Sequence, residues 1–214
     1  MLANNLLSID LAAKENNITG IAYFEKCGDK FLARTLFAKT LSIYTDEEIK
    51  SIAKHFKYVF IDAPLSLPKG RKSIDKKENI HFRICDMKLR ALGIKFFPIT
   101  LSGMRALTKR GLKIKHELNK LGCICYEIYP GASYDMLGLK RKMIKEQIDF
   151  YNKIGIKHSI SNQHESDALM GLITALLFIK GKAKVLDGED GAIILPSKKF
   201  NAEEIKAVIY NTNE

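Results

Sequence analysis

The chain reads as an α/β protein built on a mixed five-stranded sheet with helices on both faces. Three observations point there. The first 37 residues hold three β-type segments in succession, at 6–12, 18–25 and 30–37. Two more short apolar strands follow at 58–62 and 123–129, each flanked by helical sequence, the pattern of strands joined by crossovers. Finally, three of these strands carry an acid at or near the C-terminal end: Asp10, Asp62 and Glu127.

Each element has its own local cause. LLSIDLA is a continuous apolar run ending in an acid, as expected of a buried strand. ITGIAYFE and KFLARTLF follow, separated by a turn at Cys27-Gly28-Asp29-Lys30. Thr45-Asp46-Glu47-Glu48 is a capping-box pattern, after which Ile49, Ile52, Ala53 and Phe56 fall on one helical face. YVFID is a strand stopped by Ala63-Pro64.

The stretch 64–122 is longer than a parallel crossover requires, so it is expected to be an enlarged helical insertion. It divides into a loop through Lys77, a helix over about 79–92 with Phe82, Cys85, Leu89 and Leu92 as its buried face, and a second helix over about 102–121. CICYEIY is a strand halted by Pro130-Gly131. Further helices are expected over about 140–154 and 162–179. Two short strands (AKVLDG and AIILP) and a small helix over 201–210 follow them.

At 214 residues the chain suits one domain, 1–214, and a chain of that size buries roughly 70% of its unfolded surface without needing disulfides. Cys27, Cys85, Cys123 and Cys125 form no CxxC pair; Cys123 and Cys125 would share a strand face and read as buried free thiols, not zinc ligands. A reducing, cytoplasmic setting is the expectation. Asp10 interrupts the N-terminal apolar stretch, so no secretory signal is expected, and the apolar run 168–179 is too short to span a bilayer. The net charge of +11, from 35 basic and 24 acidic residues, favours a polyanionic partner, although dispersed lysines also serve as a solvated surface.

The acids carry the chemistry. In open α/β sheets, ligands bind outside the carboxyl ends of parallel strands, where Asp10, Asp62 and Glu127 are expected. Asp167 opens the apolar helix of HESDALMGLITALL and shares a face with Gly171, which would let that helix approach the sheet closely. Four convergent carboxylates repel one another unless protonated or bridged by cations. Hard cations such as Mg2+ or Mn2+ take oxygen ligands, and a pair of them can assist cleavage of a phosphodiester. Asp10, Asp62, Glu127 and Asp167 are therefore the expected metal-binding and catalytic residues.

The motifs SIDLAA…TGIAYF, FIDAPLSLP, RICDMKLRALG, YEIYP, ESDAL and GEDGAIILP run through most of the chain. In that set and order the sequence resembles the family called domain of unknown function 429, described as predicted nucleases of RNase H-like fold. The helix QHESDALMGLITALL is also similar to the final helix of RuvC-type resolvases, where an aspartate near the helix start completes a metal site. The resemblance implies a divalent-metal-dependent nuclease acting on DNA or RNA, with the four acids as its metal ligands.

Secondary candidates surround them. His164 stands one turn before Asp167 and could shuttle a proton, or could be a plain surface histidine. Arg83, Asp86 and Arg90 share a helical face, as a phosphate-facing strip or a structural ion pair would. Arg71 and Ser66 follow Asp62 in the chain. Arg71, Arg83 and Arg90 are the expected substrate-binding residues. Two other functions compete with this one. An actin-like kinase or ATPase needs two copies of the core and a Gly/Thr phosphate turn, whereas Asp10 is followed by Leu11-Ala12-Ala13. A non-catalytic nucleic-acid-binding or regulatory module on the same fold is the alternative.

Overall fold

A computed structural model describes residues 5–25 and 36–210. Along these residues run β1 (Leu6–Asp10), β2 (Thr19–Phe24), β3 (Leu36–Ile43), α1 (Asp46–Ala53), β4 (Tyr58–Asp62), α2 (Ile84–Ala91), α3 (Ser102–Lys120) and β5 (Ile124–Glu127). They continue with α4 (Pro130–Leu137), α5 (Ile144–Lys153), β6 (Ile156–His158), α6 (Gln163–Ile179), β7 (Ala183–Gly188), β8 (Gly191–Pro196) and α7 (Ala202–Tyr210).

The central sheet has six strands in the order β5-β4-β1-β2-β3-β6. β1, β2 and β3 form an antiparallel meander, while β4 pairs parallel to β1 and β5 parallel to β4. The sixth strand, beyond the five expected, is the three-residue β6, which pairs parallel to β3. β7 and β8 form a separate hairpin, joined to the end of β5 by one bridge from Ile128 to Ile194.

Side chains alternate across a strand, and the two faces separate cleanly. Leu6, Ala22, Phe24 and Phe60 pack on one face with α4, α5 and α6. Leu7, Ile9, Ile21, Val59 and Ile61 pack on the other with α1 and α3. Helix α6 lies against β1 and β2 through two glycines. A Cβ at Gly171 would sit 2.2 Å from Ser8 Oγ, and a Cβ at Gly20 would sit 2.0 Å from the His164 carbonyl oxygen. Only bare Cα atoms permit this approach, which delivers the start of α6 to the carboxyl end of β1.

Four expectations are corrected here. The helix expected from 79 begins at Ile84, because Arg71 gathers the carbonyls of Ile74, Lys76, Glu78 and Ile80 around its guanidinium at 2.6–3.4 Å. Carbonyls turned inward to a cation cannot run along a helix axis. Of its expected face, Cys85 and Leu89 are buried but Leu92 is 44% exposed. Pro130 does not halt the chain but occupies the first turn of α4, where its missing N–H has no partner to lose. The third strand runs on to Ile43, beyond the expected end at 37, with Ala38 and Thr40 buried and polar residues between. Its expected residues 30–35 and the turn at Cys27–Lys30 lie outside the described residues. The capping box of α1 is present, with Glu48 N donating to Thr45 Oγ1 and Thr45 N to Glu48 Oε2.

Candidate functional site

Asp10 and Asp62 are direct register partners on the parallel pair β1–β4. They follow the parity of Leu6, Ser8 and Phe60, so both belong to the α6 face. Asp167, on the first turns of α6, faces them from above. The charges of these acids act on one another. Burial first, then the charges of Asp10, Asp167 and Glu127, push the Asp62 carboxyl well above the usual carboxylate range. Burial and the Asp10 charge likewise push Asp167 up to about 7.

Two neighbours on α6 hold this arrangement. Gln163 Nε2 donates to Asp167 Oδ1 at 2.7 Å and to Gln147 Oε1 at 3.0 Å, the latter also accepting from Ser166 Oγ at 2.7 Å. His164 Nδ1 lies 2.7 Å from Asp10 Oδ2, and this bond raises the His164 pKa above its ordinary value. The Gly20 contact explains the bond: Gly20 is the register partner of Asp10 on β2, and the His164 backbone rests on it. A cation whose charge acts on Asp62 is Arg141, which bonds Asp135, Tyr129 Oη (2.6 Å) and the Lys95 carbonyl (3.0 Å). Sequence reasoning missed Arg141, because it follows a helix it did not anticipate.

Glu127 lies on the other face of the sheet. Tyr126 and Ile128 pack on the α6 face, and Glu127 between them points to the opposite one, in register with Ile61. Its two oxygens accept from Arg83 Nη1 and Nη2 at 2.6 Å each, and Oε2 also from Leu65 N at 2.8 Å. Arg83 completes its bonds with Asp86 (Nε at 3.2 Å, Nη2 at 2.8 Å) and Ser66 Oγ (3.1 Å). Burial opposes the charge on Arg83, but Glu127 and Asp86 more than offset it, raising its pKa. Burial pushes the Glu127 carboxyl up, and Arg83 pulls it back.

This pair is closed from above by the β7–β8 turn. Asp190 accepts from Lys69 N and Ile84 N at 3.0 Å each, and Gly191, at φ 149°, leaves room for Ser66 Oγ and Arg83 Nη1. The segments FIDAPLSLP, RICDMKLRALG, YEIYP and GEDGAIILP thus meet in one network.

Two of the three expected substrate-binding arginines are corrected accordingly. Arg83 is 2% exposed and committed to its ion pairs; Arg71 is 7% exposed and committed to loop carbonyls. Only Arg90 remains exposed, its guanidinium 4.3 Å over the Phe82 ring. Asp10, Asp62 and Asp167 supply the all-oxygen donor set that a hard cation takes, in a mutual repulsion that a cation would relieve. Glu127 does not fit that role, since its oxygens already serve Arg83. Among the described residues, no three His, Cys, Asp or Glu side chains are gathered tightly enough to enclose an ion, and no helix is long and apolar enough to cross a membrane.

No family model matches the chain, and no curated protein matches it. A solved Thermus thermophilus RuvC structure is similar over 82% of this chain and 96% of its own, at 14% identity and a TM-score of 0.43. Similarity at that level assigns no residue.

Proposed function

We propose that the chain is a divalent-metal-dependent nuclease of RNase H-like fold, in which Asp10, Asp62 and Asp167 hold Mg2+ or Mn2+ and Glu127 braces the site from behind. The observation that carries this reading is the placing of Asp10 and Asp62 as register partners at the carboxyl ends of β1 and β4, where the charges of Asp10 and Asp167 add to burial in raising the Asp62 carboxyl. Arg141 acts on Asp62, yet burial and the neighbouring acids outweigh it, and clustered groups with strongly shifted pKa values mark functional sites. The motif resemblance to domain of unknown function 429 and the +11 net charge agree with a nucleic-acid substrate.

A pair of divalent ions bound there would activate a water and stabilise the leaving oxygen of a phosphodiester. The chain's own groups do the rest. Asp10 and Asp62 stand side by side on rigid strands, and Gln163 orients Asp167 opposite them. His164 holds Asp10 through Nδ1 and, with its side chain half exposed, leaves Nε2 free to hold a proton at the edge of the site. Arg141 sets positive charge beside Asp62, where a scissile phosphate would approach.

The test is cleavage of a panel of single-stranded and duplex DNA and RNA by purified protein with Mn2+, Mg2+ or EDTA. Cleavage that requires the metal and is lost in Asp10→Asn and Asp62→Asn supports the proposal. Binding without cleavage under every condition would leave the non-catalytic nucleic-acid-binding module as the function.

A further inference from the structure

The chain contains two glutamines, Gln147 and Gln163, and they bond each other. Gln147 is fully buried on the inner face of α5, beside Phe150 and Tyr151. A buried amide is unfavourable unless its polar atoms find partners, and an apolar side chain of the same length would fill the space without that demand. What Gln147 adds is direction. Its Nε2 donates to the Lys140 carbonyl at 2.9 Å. A carbonyl only accepts, so the nitrogen end of the amide must face Lys140 and Oε1 must face α6. There Oε1 accepts from Ser166 Oγ at 2.7 Å and from Gln163 Nε2 at 3.0 Å, which uses both of its lone pairs.

The constraint passes on to Gln163. An acceptor on the Gln147 side calls for the nitrogen end of the Gln163 amide, whose second hydrogen then goes to Asp167 Oδ1 at 2.7 Å. With that amide turned over, a carbonyl oxygen would stand against the Asp167 carboxylate and push it away. Tyr151, one turn along α5 from Gln147, donates to the Ser166 carbonyl at 3.0 Å, so α5 cannot slide along α6 without breaking both ties. Among the described residues Gln147 makes no hydrogen bond with an acid, so its effect on the site passes through another side chain.

We propose that Gln147 is a positioning residue for the carboxylate site, which through Gln163 sets the rotation of the Asp167 carboxylate for a divalent cation. This deepens the nuclease reading and rests on it for the cation, while the link from α5 to Asp167 rests on the hydrogen bonds alone.

Two measurements test it. Labelling glutamine side chains with heavy nitrogen gives one pair of amide signals from each residue, and Gln163→Met assigns them by removing its own. In EDTA the wild-type Gln163 amide should exchange with water more slowly than free glutamine. Gln147→Met, which keeps the side-chain length, should speed that exchange by about 2- to 12-fold, the equivalent of one hydrogen bond. A wild-type amide that exchanges as fast as free glutamine overturns the proposal without any variant, as does a rate that Gln147→Met leaves unchanged. Mn2+ calorimetry then closes a cycle. Gln163→Met should weaken binding by about 10- to 100-fold, Gln147→Met by about 2- to 12-fold, and the double variant no more than Gln163→Met alone. Gln147→Glu offers Gln163 an acceptor in either protonation state and should restore the wild-type affinity. A residue that only packs the core would add its own loss, so a double variant weakened by the product of the two overturns the proposal. A wild type that binds no Mn2+ overturns the metal reading as well, whereas a failed cycle beside tight wild-type binding overturns this proposal alone.

Discussion

Replacing Asp167 with asparagine should stabilise the metal-free protein, by an amount that depends on pH in a defined way. Asn keeps the oxygen that accepts from Gln163 Nε2, so the change removes a charge and little else. Folding raises this carboxyl from 3.8 to about 7. Between those values the folded protein holds a proton that the unfolded chain has released, so stability is lost as pH rises through the interval. At about 1.4 kcal/mol per pH unit the full penalty is about 4 kcal/mol above pH 8, and less than half of that at pH 5. Urea denaturation in EDTA from pH 5 to pH 8 measures it directly. Asp167→Asn should be the more stable protein at pH 8, with an advantage that shrinks steadily towards pH 5. Saturating Mn2+ should reverse the order by stabilising only the wild type. A difference between the two proteins that stays constant across this pH range would refute the argument, because the carboxyl would then ionise alike in both states.

Asp10→Asn should lose Mn2+ affinity in calorimetry with little loss of fold, and equal affinity would remove the metal site. Glu127→Gln should keep Mn2+ affinity, since both Glu127 oxygens accept from Arg83. Glu127→Ala, which leaves Arg83 buried with one partner fewer, should cost about 3–5 kcal/mol in urea unfolding. Gly20→Ala, whose Cβ would meet the His164 carbonyl at 2.0 Å, should lower stability by about 1–3 kcal/mol. It should also return the His164 titration towards its ordinary value, as followed by NMR. Arg90→Ala should reduce the slope of log affinity against log salt by about 0.7–0.9 with the fold intact, whereas Arg83→Ala should fail to fold stably.

The sheet was legible because its strands are short apolar runs with period-two punctuation, and the antiparallel meander and both parallel pairs follow the expected plan. The close seat of α6 was legible too, from Gly171 in an otherwise bulky helix. At the candidate site the sequence anticipated where Asp10, Asp62 and Asp167 lie, though not where Glu127 lies. Which face Glu127 occupies depends on the register of β5 against β4, and a shift of one residue reverses every side chain; sequence alone cannot count that shift. Arg71 and Arg83 misled for a related reason. An arginine beside acids looks the same in sequence whether it waits for a phosphate or has already been satisfied by carbonyls and carboxylates. β6 escaped notice because three residues, Ile156–His158, carry no periodicity, and α4 because a proline followed by glycine resembles a stop until it is seen to start a helix.

The clasp made by Asp190 has a consequence for how the protein is made. Asp190 lies 121 residues after Lys69, whose backbone it holds, and follows all four acids in the chain. At about 5–20 residues per second a ribosome needs on the order of 6–24 s to cover that distance. During this interval Lys69 N and the first amide of α2 lack their acceptor, and nothing yet lies over Ser66 and Arg83. The wall behind the carboxylates is therefore completed late. A nascent chain can assemble β1 to β5 while the loop after Asp62 stays open, and that loop is where a protease acting during synthesis should cut first.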